Sequence, residues 1–335
     1  MAGREEAVRN LSLKHIETVH AIAAAGSLVG AAAALNLTPA ALTARVKALE
    51  EAIDLKLFDR TSAGMRLTKA GEAALEASRA VERAVRDFAD AMLAITSGEG
   101  GRLSVGAVST AKYFAPRLIA SFIATRPKLD LRFQIGNRDA TVDSLRNGEI
   151  EIALAGRPPR ETPVEAFALG AHPYVLIAPP DHRFADARGL TRADLAGEAF
   201  LFREIGSGSR SLFDDFIGDT TIKPVQMRME LGSNETIKQA VMAGIGIALI
   251  SAHTIAAEVA DGRLVCLDVE GLPILRRWYV VNRTDRALSP AARAFRDFAV
   301  REGSTFLPSA PGLVSSSHTR IANAFKRRPR RPSLD

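Results

Sequence analysis

Cysteine is nearly absent from this chain of 335 residues, in which Cys266 is the only one. A single thiol cannot form an intramolecular disulfide framework, nor a zinc or iron–sulfur site built from several cysteines. The N-terminal residues also lack an apolar segment behind a basic start, so no secretory signal is predicted. Both absences favour a reducing compartment, and we expect a cytoplasmic location.

A long hydrophobic run is missing as well. The stretch from Val19 to Leu37 is apolar, but it contains histidine, glycine, serine and asparagine, and most of its bulk is alanine. It is a poor membrane span, so no membrane partner is expected. With 47% hydrophobic and 24% charged residues, the chain can bury a sizeable core and is not globally disordered.

Motifs typical of enzymes are absent too. The six histidines show no HExxH spacing, and the sequence has neither a Walker A loop nor a GxGxxG turn after a strand. The segment Gly206–Ser209 frames two serines with glycine, without the spacing of a nucleophile elbow. A missing motif does not exclude an enzyme, but nothing favours one, and we expect no catalytic residue, no metal and no cofactor.

The net charge of +6 is concentrated at one end of the chain. Residues 302–335 contain six lysines and arginines against two acidic residues, and they show no hydrophobic periodicity. This composition predicts a disordered basic tail. The tail either solubilises the chain, which we favour, or adds nonspecific affinity for DNA. The net charge is therefore a weak indication of nucleic-acid binding by the folded part.

Short helices with tight turns are predicted in residues 11–70. Apolar residues recur at helical spacing from Leu13, and Gly26-Ser27 breaks the run. Ser27 is the predicted cap of a helix through Ala34, and Thr38 is the predicted cap of the next helix, which begins at Pro39. Two short strands are predicted around Ser62–Gly64. This order predicts an N-terminal all-α winged helix-turn-helix domain, with β-structure in the wing alone. A small helical domain without a ligand is the alternative.

One long helix is predicted over residues 69–97, and 71–97 is assigned as a linker and dimerisation helix. Its apolar residues alternate by four and three along a short seam: Val81, Val85, Phe88, Met92 and Ile95. Opposite charges flank the seam at Glu82–Arg86 and Arg83–Asp87. The alternative is an amphipathic helix packed on the adjacent core. Gly98–Gly101 is typical of a linker.

Residues 102–301 show alternating strand and helix patterns, which favour an α/β domain with a mostly parallel sheet. Two such sets follow each other, so we expect two lobes linked by crossing strands. A cleft between lobes, at the carboxyl ends of strands, is where small ligands bind.

Polar residues at the predicted strand ends define a candidate site for a ligand in this cleft. Taken singly, they are more often helix caps or solvated arginines, but together they favour an anionic small molecule. The candidates are Ser109, Thr110, Asn137, Arg138, Arg157, Arg203, Ser207, Ser209, Asn234 and Thr236.

Residues 13–75, from LKHIETVHAIAAAGS to RLTKAGEAAL, resemble the DNA-binding domain of LysR-type transcriptional regulators, and the resemblance extends over residues 11–301. Three segments, VSTAKYFAP (108–116), FREIGSGSR (202–210) and GSNETIKQAVMAGIGIALISAHT (232–254), resemble the branch that regulates the Calvin-cycle (RuBisCO) operon. The resemblance implies a C-terminal α/β two-lobed, periplasmic-binding-protein-like domain that binds an effector.

The same resemblance implies a transcriptional regulator and its partners. These would be double-stranded promoter DNA, RNA polymerase and a small anionic metabolite, such as a sugar phosphate, phosphoenolpyruvate or an NADPH-like molecule. The chain would assemble with itself as a homotetramer, a dimer of dimers. A LysR-type regulator of another pathway, such as aromatic or organic acid catabolism, is the alternative.

The start of the helix that the resemblance identifies as the recognition helix departs from the family pattern. The family usually has Thr-Gln-Pro-Ala-Val-Ser where this chain has TPAALT, residues 38–43. Pro39 replaces a glutamine that can reach a base edge, so either base contacts move elsewhere or operator preference differs. The residues that the resemblance places at DNA are Ser27, Thr38, Pro39, Thr43, Arg45, Lys47, Arg60, Thr61, Arg66 and Thr68.

Two other classes of protein fit the pattern less well. A two-lobed solute-binding protein would explain residues 102–301, but not residues 11–97 or the missing signal peptide. An α/β enzyme would need a general base in the cleft, and no histidine falls at the predicted strand ends. We therefore expect a DNA-binding regulator.

Overall fold

The computed structural model describes residues 11–62, 64–97, 101–218, 227–308 and 310. The chain divides into two units, Met1–Thr96 and Ser97–Asp335. None of the helices within the described residues has both the length and the apolar character needed to cross a membrane.

The first unit has the element order of a winged helix-turn-helix. Three helices come first, α1 (Leu13–Ala25), α2 (Leu28–Ala34) and α3 (Pro39–Ile53). A two-stranded hairpin follows, made of β1 (Phe58–Thr61) and β2 (Gly64–Leu67), and then the long helix α4 (Lys69–Ser97). The hairpin is the predicted wing, and α3 occupies the position of the recognition helix.

The two polar helix caps predicted from the sequence are confirmed. The Ser27 hydroxyl accepts a hydrogen bond from the Gly30 amide at 3.1 Å. The Thr38 hydroxyl accepts one from the Ala41 amide at 3.2 Å. Pro39 stands at the start of α3, where its missing N–H leaves no bond unmade. These contacts satisfy backbone donors that the first turn of a helix leaves free.

The wing is held against the turn between α1 and α2 by a close backbone contact. The Met65 amide donates to the Gly26 carbonyl at 2.8 Å. A Cβ at Gly64 would lie 2.3 Å from that carbonyl oxygen, and Gly64 has φ of 123°. Glycine is therefore required where the wing approaches the turn.

A buried carboxylate joins α3 to the wing. Glu50 is 7% exposed, and it accepts hydrogen bonds from the Leu57 amide at 2.8 Å and the Phe58 amide at 3.3 Å. The Lys56 ammonium donates to its other oxygen at 2.6 Å. Burial alone would raise the pKa of Glu50, but these hydrogen bonds outweigh it and hold the pKa below its usual value.

The long helix α4 packs on the helix-turn-helix core at its start, through Ala70, Ala74 and Leu75. Further along, the seam residues Val81, Val85, Phe88 and Met92 are exposed within this chain. Packing on the adjacent core therefore accounts for the start of α4 but not for these four side chains. The described residues do not include the side chain of Ile95 or the side chains of Arg83, Arg86 and Asp87 in the predicted charge pairs. They also do not include linker residues 98–100.

The second unit has an α/β order. Its first half contains β3 (Gly101–Val108), α5 (Ala115–Ile123), β4 (Leu129–Gly136), α6 (Arg138–Asn147), β5 (Ile152–Ala155) and β6 (Val164–Ala178). The next elements are β7 (Phe200–Arg203), α7 (Gly208–Gly218), β8 (Met227–Leu231), α8 (Asn234–Met242), β9 (Ile247–Ser251), α9 (Ala256–Ala260) and β10 (Val265–Cys266). Strand β11 (Ile274–Arg283) and helix α10 (Pro290–Glu302) follow.

The sheet is mixed, which differs from the mostly parallel sheet expected. Strands β4, β3 and β5 pair in parallel, and so do β9, β7 and β8. The long strands β6 and β11 lie between these groups and pair antiparallel to each other. Strand β6 leads the chain from the first group to the second and β11 leads it back, so the two run in opposite directions.

Two lobes form around the two groups of strands. Lobe 1 contains β3–β5, α5, α6 and α10, and its core includes the fully buried rings of Phe114, Phe122, Trp278 and Phe295. Lobe 2 contains β7–β9, α7 and α8, with one apolar cluster around Phe213 and another around Ile237. Strands β6 and β11 contribute to both lobes and connect them, as the predicted crossing strands should.

The folded chain extends beyond the boundary predicted at residue 301. Gly303–Phe306 forms a 3-10 turn after α10, and Phe306 and Leu307 pack against the core of lobe 1. This corrects the start of the predicted disordered tail, because burying these two side chains removes apolar surface from water. Residues 309 and 311–335, which include the basic cluster, lie outside the described residues.

Replacing Glu50 by alanine would leave the amides of Leu57 and Phe58 without their acceptor. We expect Glu50→Ala to lower the unfolding free energy of the first unit by about 2–4 kcal/mol. Because the folded-state pKa of Glu50 lies below its usual value, its contribution is full above the unfolded-state pKa and is lost as pH falls through the folded-state pKa. Hydrogen exchange of residues 13–67 in the full chain, followed in denaturant, measures both effects.

The matched control is Glu51→Ala, which removes a mostly exposed carboxylate 3.5 Å from Lys47. We expect it to change stability by less than about 0.5 kcal/mol. Equal losses in the two variants would contradict the role assigned to Glu50.

Candidate functional site

A cavity of about 500 Å³ lies between the two lobes of the second unit. It contains side chains from both lobes and from the strands that connect them. Seven of the ten predicted ligand-binding residues line it: Ser109, Thr110, Asn137, Arg138, Arg157, Ser207 and Ser209. The structure therefore brings together most of the residues chosen from strand ends far apart in the sequence.

Three helix starts face this cavity. Asn137 caps α6, with its side-chain oxygen accepting from the Ala140 amide at 2.9 Å. Gly208 begins α7, and Ser109 begins a 3-10 turn (Ser109–Tyr113). The backbone N–H groups at a helix start carry partial positive charge and favour an anion.

Arginines add full charges to the lining. Arg138 pairs with Asp139 at 3.3 Å and Arg146 with Asp143 at 2.7 Å, so their charges are partly neutralised. In contrast, Arg157, Arg160 and Arg276 have no carboxylate within 4.0 Å among the residues that the structure describes. Glu161 and Asp215 also line the cavity. The unpaired guanidinium groups leave it suited to a small oxyanion.

The remaining three predicted residues do not line the cavity. Arg203 is 3% exposed and forms hydrogen bonds to the Asn234 side chain at 2.6 Å and to the Ser109 hydroxyl at 3.3 Å. Asn234 in turn donates to the Thr110 hydroxyl at 3.3 Å. These two residues connect the lobes. Thr236 is exposed, and its amide donates a hydrogen bond to the Ser233 hydroxyl that caps α8. It is therefore part of a helix cap, which was the alternative to a ligand-binding role.

Two further contacts hold the lobes together. Glu235 of lobe 2 accepts hydrogen bonds from Lys112 and Tyr113 of lobe 1. Burial and then Glu235 raise the pKa of Tyr113; burial opposes ionisation of Glu235, but its hydrogen bonds lower its pKa overall. In addition, the Asp139 amide donates to the Gly206 carbonyl at 3.2 Å. The cavity therefore lies between lobes that are in direct contact.

Sequence reasoning missed the residues that β6 and β11 bring to the cavity. His172 and Tyr174 come from β6, and Arg276 comes from β11. Tyr174 is buried, which raises its pKa to about 12, and its hydroxyl contacts Ser209. All three lie within strands rather than at strand ends, so the rule used to choose candidates could not select them.

The first unit places its predicted DNA-binding residues in two groups. Ser27, Thr38 and Pro39 lie at the starts of α2 and α3. Thr43, Arg45 and Lys47 follow on α3, where the Thr43 hydroxyl donates to the Pro39 carbonyl at 2.8 Å and Lys47 lies 3.5 Å from Glu51.

The second group belongs to the wing. The hydroxyl of Thr61 bonds to the Gly64 carbonyl at 3.1 Å, and that of Thr68 bonds to the Lys56 carbonyl at 2.7 Å. Arg60 and Arg66 are exposed, and neither has a carboxylate within 4.0 Å in the described ranges. These two arginines are therefore the wing residues best placed to contact phosphate.

A metal site has no support in the described part of the chain, where no group of three or more histidine, cysteine, aspartate or glutamate side chains could hold an ion. The charged groups of the cavity are arginines and a few carboxylates.

Two protein-family models match the chain. The model described as "Bacterial regulatory helix-turn-helix protein, lysR family" matches residues 13–72. The model described as "LysR substrate binding domain" matches residues 96–304.

Similar proteins cover most of the chain. The HTH-type transcriptional regulator CbbR of Sinorhizobium medicae is 47% identical over 95% of this chain and 100% of its own length. The RuBisCO operon transcriptional regulator of Allochromatium vinosum is 39% identical over 88% of this chain and 97% of its own. Among solved structures, the CcmR regulatory domain of Synechocystis PCC6803 in complex with 2-PG is 35% identical, with a TM-score of 0.59, and the match covers 63% of this chain and 100% of that domain.

Proposed function

Since this chain belongs to the LysR family of bacterial transcriptional regulators, we propose that it controls genes of CO2 fixation through the Calvin cycle in response to an anionic metabolite. The response to an anionic metabolite is proposed from one observation, the cavity that polar groups of both lobes line together with unpaired arginines. The relatives named for CbbR and for the RuBisCO operon support the choice of pathway. The role is regulatory rather than enzymatic, and its place is the cytoplasm.

Each part of the chain has a task in this proposal. Residues 11–70 bind double-stranded promoter DNA, 71–97 link and dimerise, and 102–301 bind the effector. On DNA, the start of α3 and residues Thr43 and Arg45 face the major groove, while Arg60 and Arg66 of the wing contact the backbone. Pro39 is exposed and has no side-chain donor, so base contacts come from the residues after it.

The effector is a small oxyanion. A cavity of about 500 Å³ lies within the range of small-molecule sites, and it favours a sugar phosphate or phosphoenolpyruvate over a complete dinucleotide such as NADPH. The complex of the CcmR domain with 2-PG is consistent with this kind of site in a relative. Neutral donors at helix starts and free guanidinium groups would hold its oxygens.

Assembly follows from the exposed seam on α4. Val81, Val85, Phe88 and Met92 present an apolar strip that a second copy would cover. We place such dimers in a homotetramer, a dimer of dimers, that contacts RNA polymerase at the promoter.

The direct test is a gel-shift titration of the full chain with the intergenic DNA upstream of its own gene. Ribulose 1,5-bisphosphate, phosphoenolpyruvate and NADPH are added separately. We expect a specific shift whose affinity or mobility changes with one of the first two, because an effector must favour one arrangement of the lobes. A specific shift indifferent to all three would contradict the effector class, and no specific shift would contradict DNA recognition through α3.

Removing the wing arginine should weaken DNA binding through the loss of a phosphate contact. We expect Arg66→Ala to reduce the slope of log affinity against log salt by about one. Fluorescence anisotropy over a salt series measures the slope. Arg301→Ala, which removes an equal charge from the exposed face of α10, is the control and should leave it unchanged. An unchanged slope in Arg66→Ala would remove the wing from the interface.

Removing an unpaired arginine of the cavity should weaken effector binding. We expect Arg157→Ala to lower the affinity for phosphoenolpyruvate, measured by calorimetry, by about tenfold, since one charged hydrogen bond is lost. Arg117→Ala on α5, outside the cavity lining, removes the same charge and should bind as the unmodified chain does. Undiminished affinity in Arg157→Ala would place the anion elsewhere.

A further inference from the structure

The imidazole of His172 is a buried polar group in the lining of the cavity. It is 1% exposed, stacks on the Trp278 indole with ring centroids 3.9 Å apart, and lies 4.6 Å from the Tyr174 ring. These aromatic contacts restrict the orientation of the imidazole ring. Burial, and then the nearby His253, hold the pKa of His172 well below its usual value, so the ring is neutral near pH 7.

One nitrogen of this ring has a partner and the other has none. Nε2 lies 3.0 Å from the Ser251 hydroxyl. Nδ1 is shielded from water, and no hydrogen-bond partner reaches it from the described residues. Leaving a buried polar group unpaired costs about 1–3 kcal/mol, so an unpaired atom inside a cavity calls for an explanation.

The hydrogen bonds around Ser251 determine which nitrogen carries the proton. The Ser251 oxygen already accepts a bond from the His253 amide at 3.3 Å. Within the described chain, Nε2 of His172 is the acceptor available to the Ser251 hydroxyl hydrogen. A proton on Nε2 would leave both that hydrogen and Nδ1 unsatisfied, whereas a proton on Nδ1 leaves only Nδ1–H unsatisfied. The network therefore favours the Nδ1–H tautomer.

Gly156 places no side chain beside Nδ1. It lines the same cavity, and a Cβ at this position would lie 3.0 Å from Nδ1 and 3.3 Å from Cε1 of the ring, closer than ordinary contact. A side chain there would obstruct an acceptor that approaches Nδ1 once the cleft rearranges. The glycine is thus matched to the orphaned donor across from it.

We propose that His172 donates a hydrogen bond from Nδ1 to an oxyanion oxygen, phosphate or carboxylate, of the ligand held in this cavity. The inference rests on the proposed effector function and deepens it by naming a specificity-determining donor inside the connecting strands. A neutral donor supplies direction without adding charge, so its contribution to affinity depends on where the oxygen of the ligand lies.

The position of His172 also relates occupancy to the arrangement of the lobes. Because Nδ1 is shielded from water in this structure, a ligand oxygen reaches it only after the surrounding side chains shift or the lobes part, for example at the contact between Asp139 and Gly206. A ligand that gains this bond stabilises the rearranged cleft over the present one, which is the differential affinity an effector requires.

The tautomer can be measured without any ligand. Magic-angle-spinning NMR of the full chain labelled with 15N at histidine, with the His172→Phe spectrum for assignment, reports the proton on each ring nitrogen. We expect the proton on Nδ1, and a change of that nitrogen's shift on adding phosphoenolpyruvate or ribulose 1,5-bisphosphate. A proton on Nε2, or an Nδ1 shift unmoved by a probe that binds, would overturn the proposal.

Variants then separate the donor from the packing of the ring. His172→Phe keeps an aromatic ring and removes the donor, and we expect about ten- to hundredfold weaker binding of whichever of the two probes the unmodified chain binds more tightly. His172→Asn places an amide N–H near the position of Nδ1 and should recover part of the loss. A merely structural ring would give the opposite order, with Asn worse than Phe.

Gly156→Ala tests the approach to Nδ1 with the histidine intact. We expect it to weaken the same probe by about tenfold or more, since the added methyl blocks the oxygen. Gly232→Ala, whose Cβ would meet nothing within 4 Å, is the matched control and should bind normally. Unchanged affinity in both His172→Phe and Gly156→Ala would overturn this inference alone. Failure of the unmodified chain to bind either probe would overturn the proposed effector class, and this inference with it.

Discussion

The antiparallel pairing of β6 with β11 is the constraint on which the second unit depends. Both strands pass through the two lobes, so their register sets which residues of one lobe meet the other. It places His172 opposite Arg276 and Gly170 opposite Trp278. The cavity can therefore combine a buried neutral donor with an unpaired guanidinium on adjacent strands. A shift of one residue would exchange the faces of the strand and remove both from the cavity.

The contacts that join the lobes and the residues that line the cavity are partly the same. Ser109 and Thr110 line the cavity, yet their hydroxyls also bond to Arg203 and Asn234. Each hydroxyl oxygen accepts its bond from the other lobe, so its own O–H can donate to a ligand oxygen while that bond is kept. Arg203 is buried, and Glu204 compensates its charge through hydrogen bonds at 2.7 and 2.8 Å, so the bonds to Ser109 and Asn234 orient the guanidinium between the lobes. Ligand binding and lobe contact thus draw on one set of hydrogen-bond groups.

Sequence reasoning succeeded where a local rule decides the outcome. Caps at Ser27 and Thr38, the wing, and polar residues after parallel strands all follow from short-range signals. It failed where partners lie far apart along the chain. The sequence near His172 gives no sign that Trp278 and Ser251 will contact it.

The same limit applies to Phe306 and Leu307. They follow a predicted boundary but pack on lobe 1, against a surface built from distant segments. Thr236 shows the converse, because a helix start that caps and one that binds a ligand share one local signature.

A regulator of this kind requires that the cavity and the DNA-binding unit bias one another. An effector that binds two arrangements of the lobes equally well would shift nothing, however tightly it bound. Anionic groups are attracted by the arginines in any open arrangement, so charge alone gives affinity without a switch. A direction-dependent donor such as His172, reached only when the cleft rearranges, supplies the difference between arrangements. By reciprocity, DNA that favours one arrangement must then change the affinity for effector by the same factor.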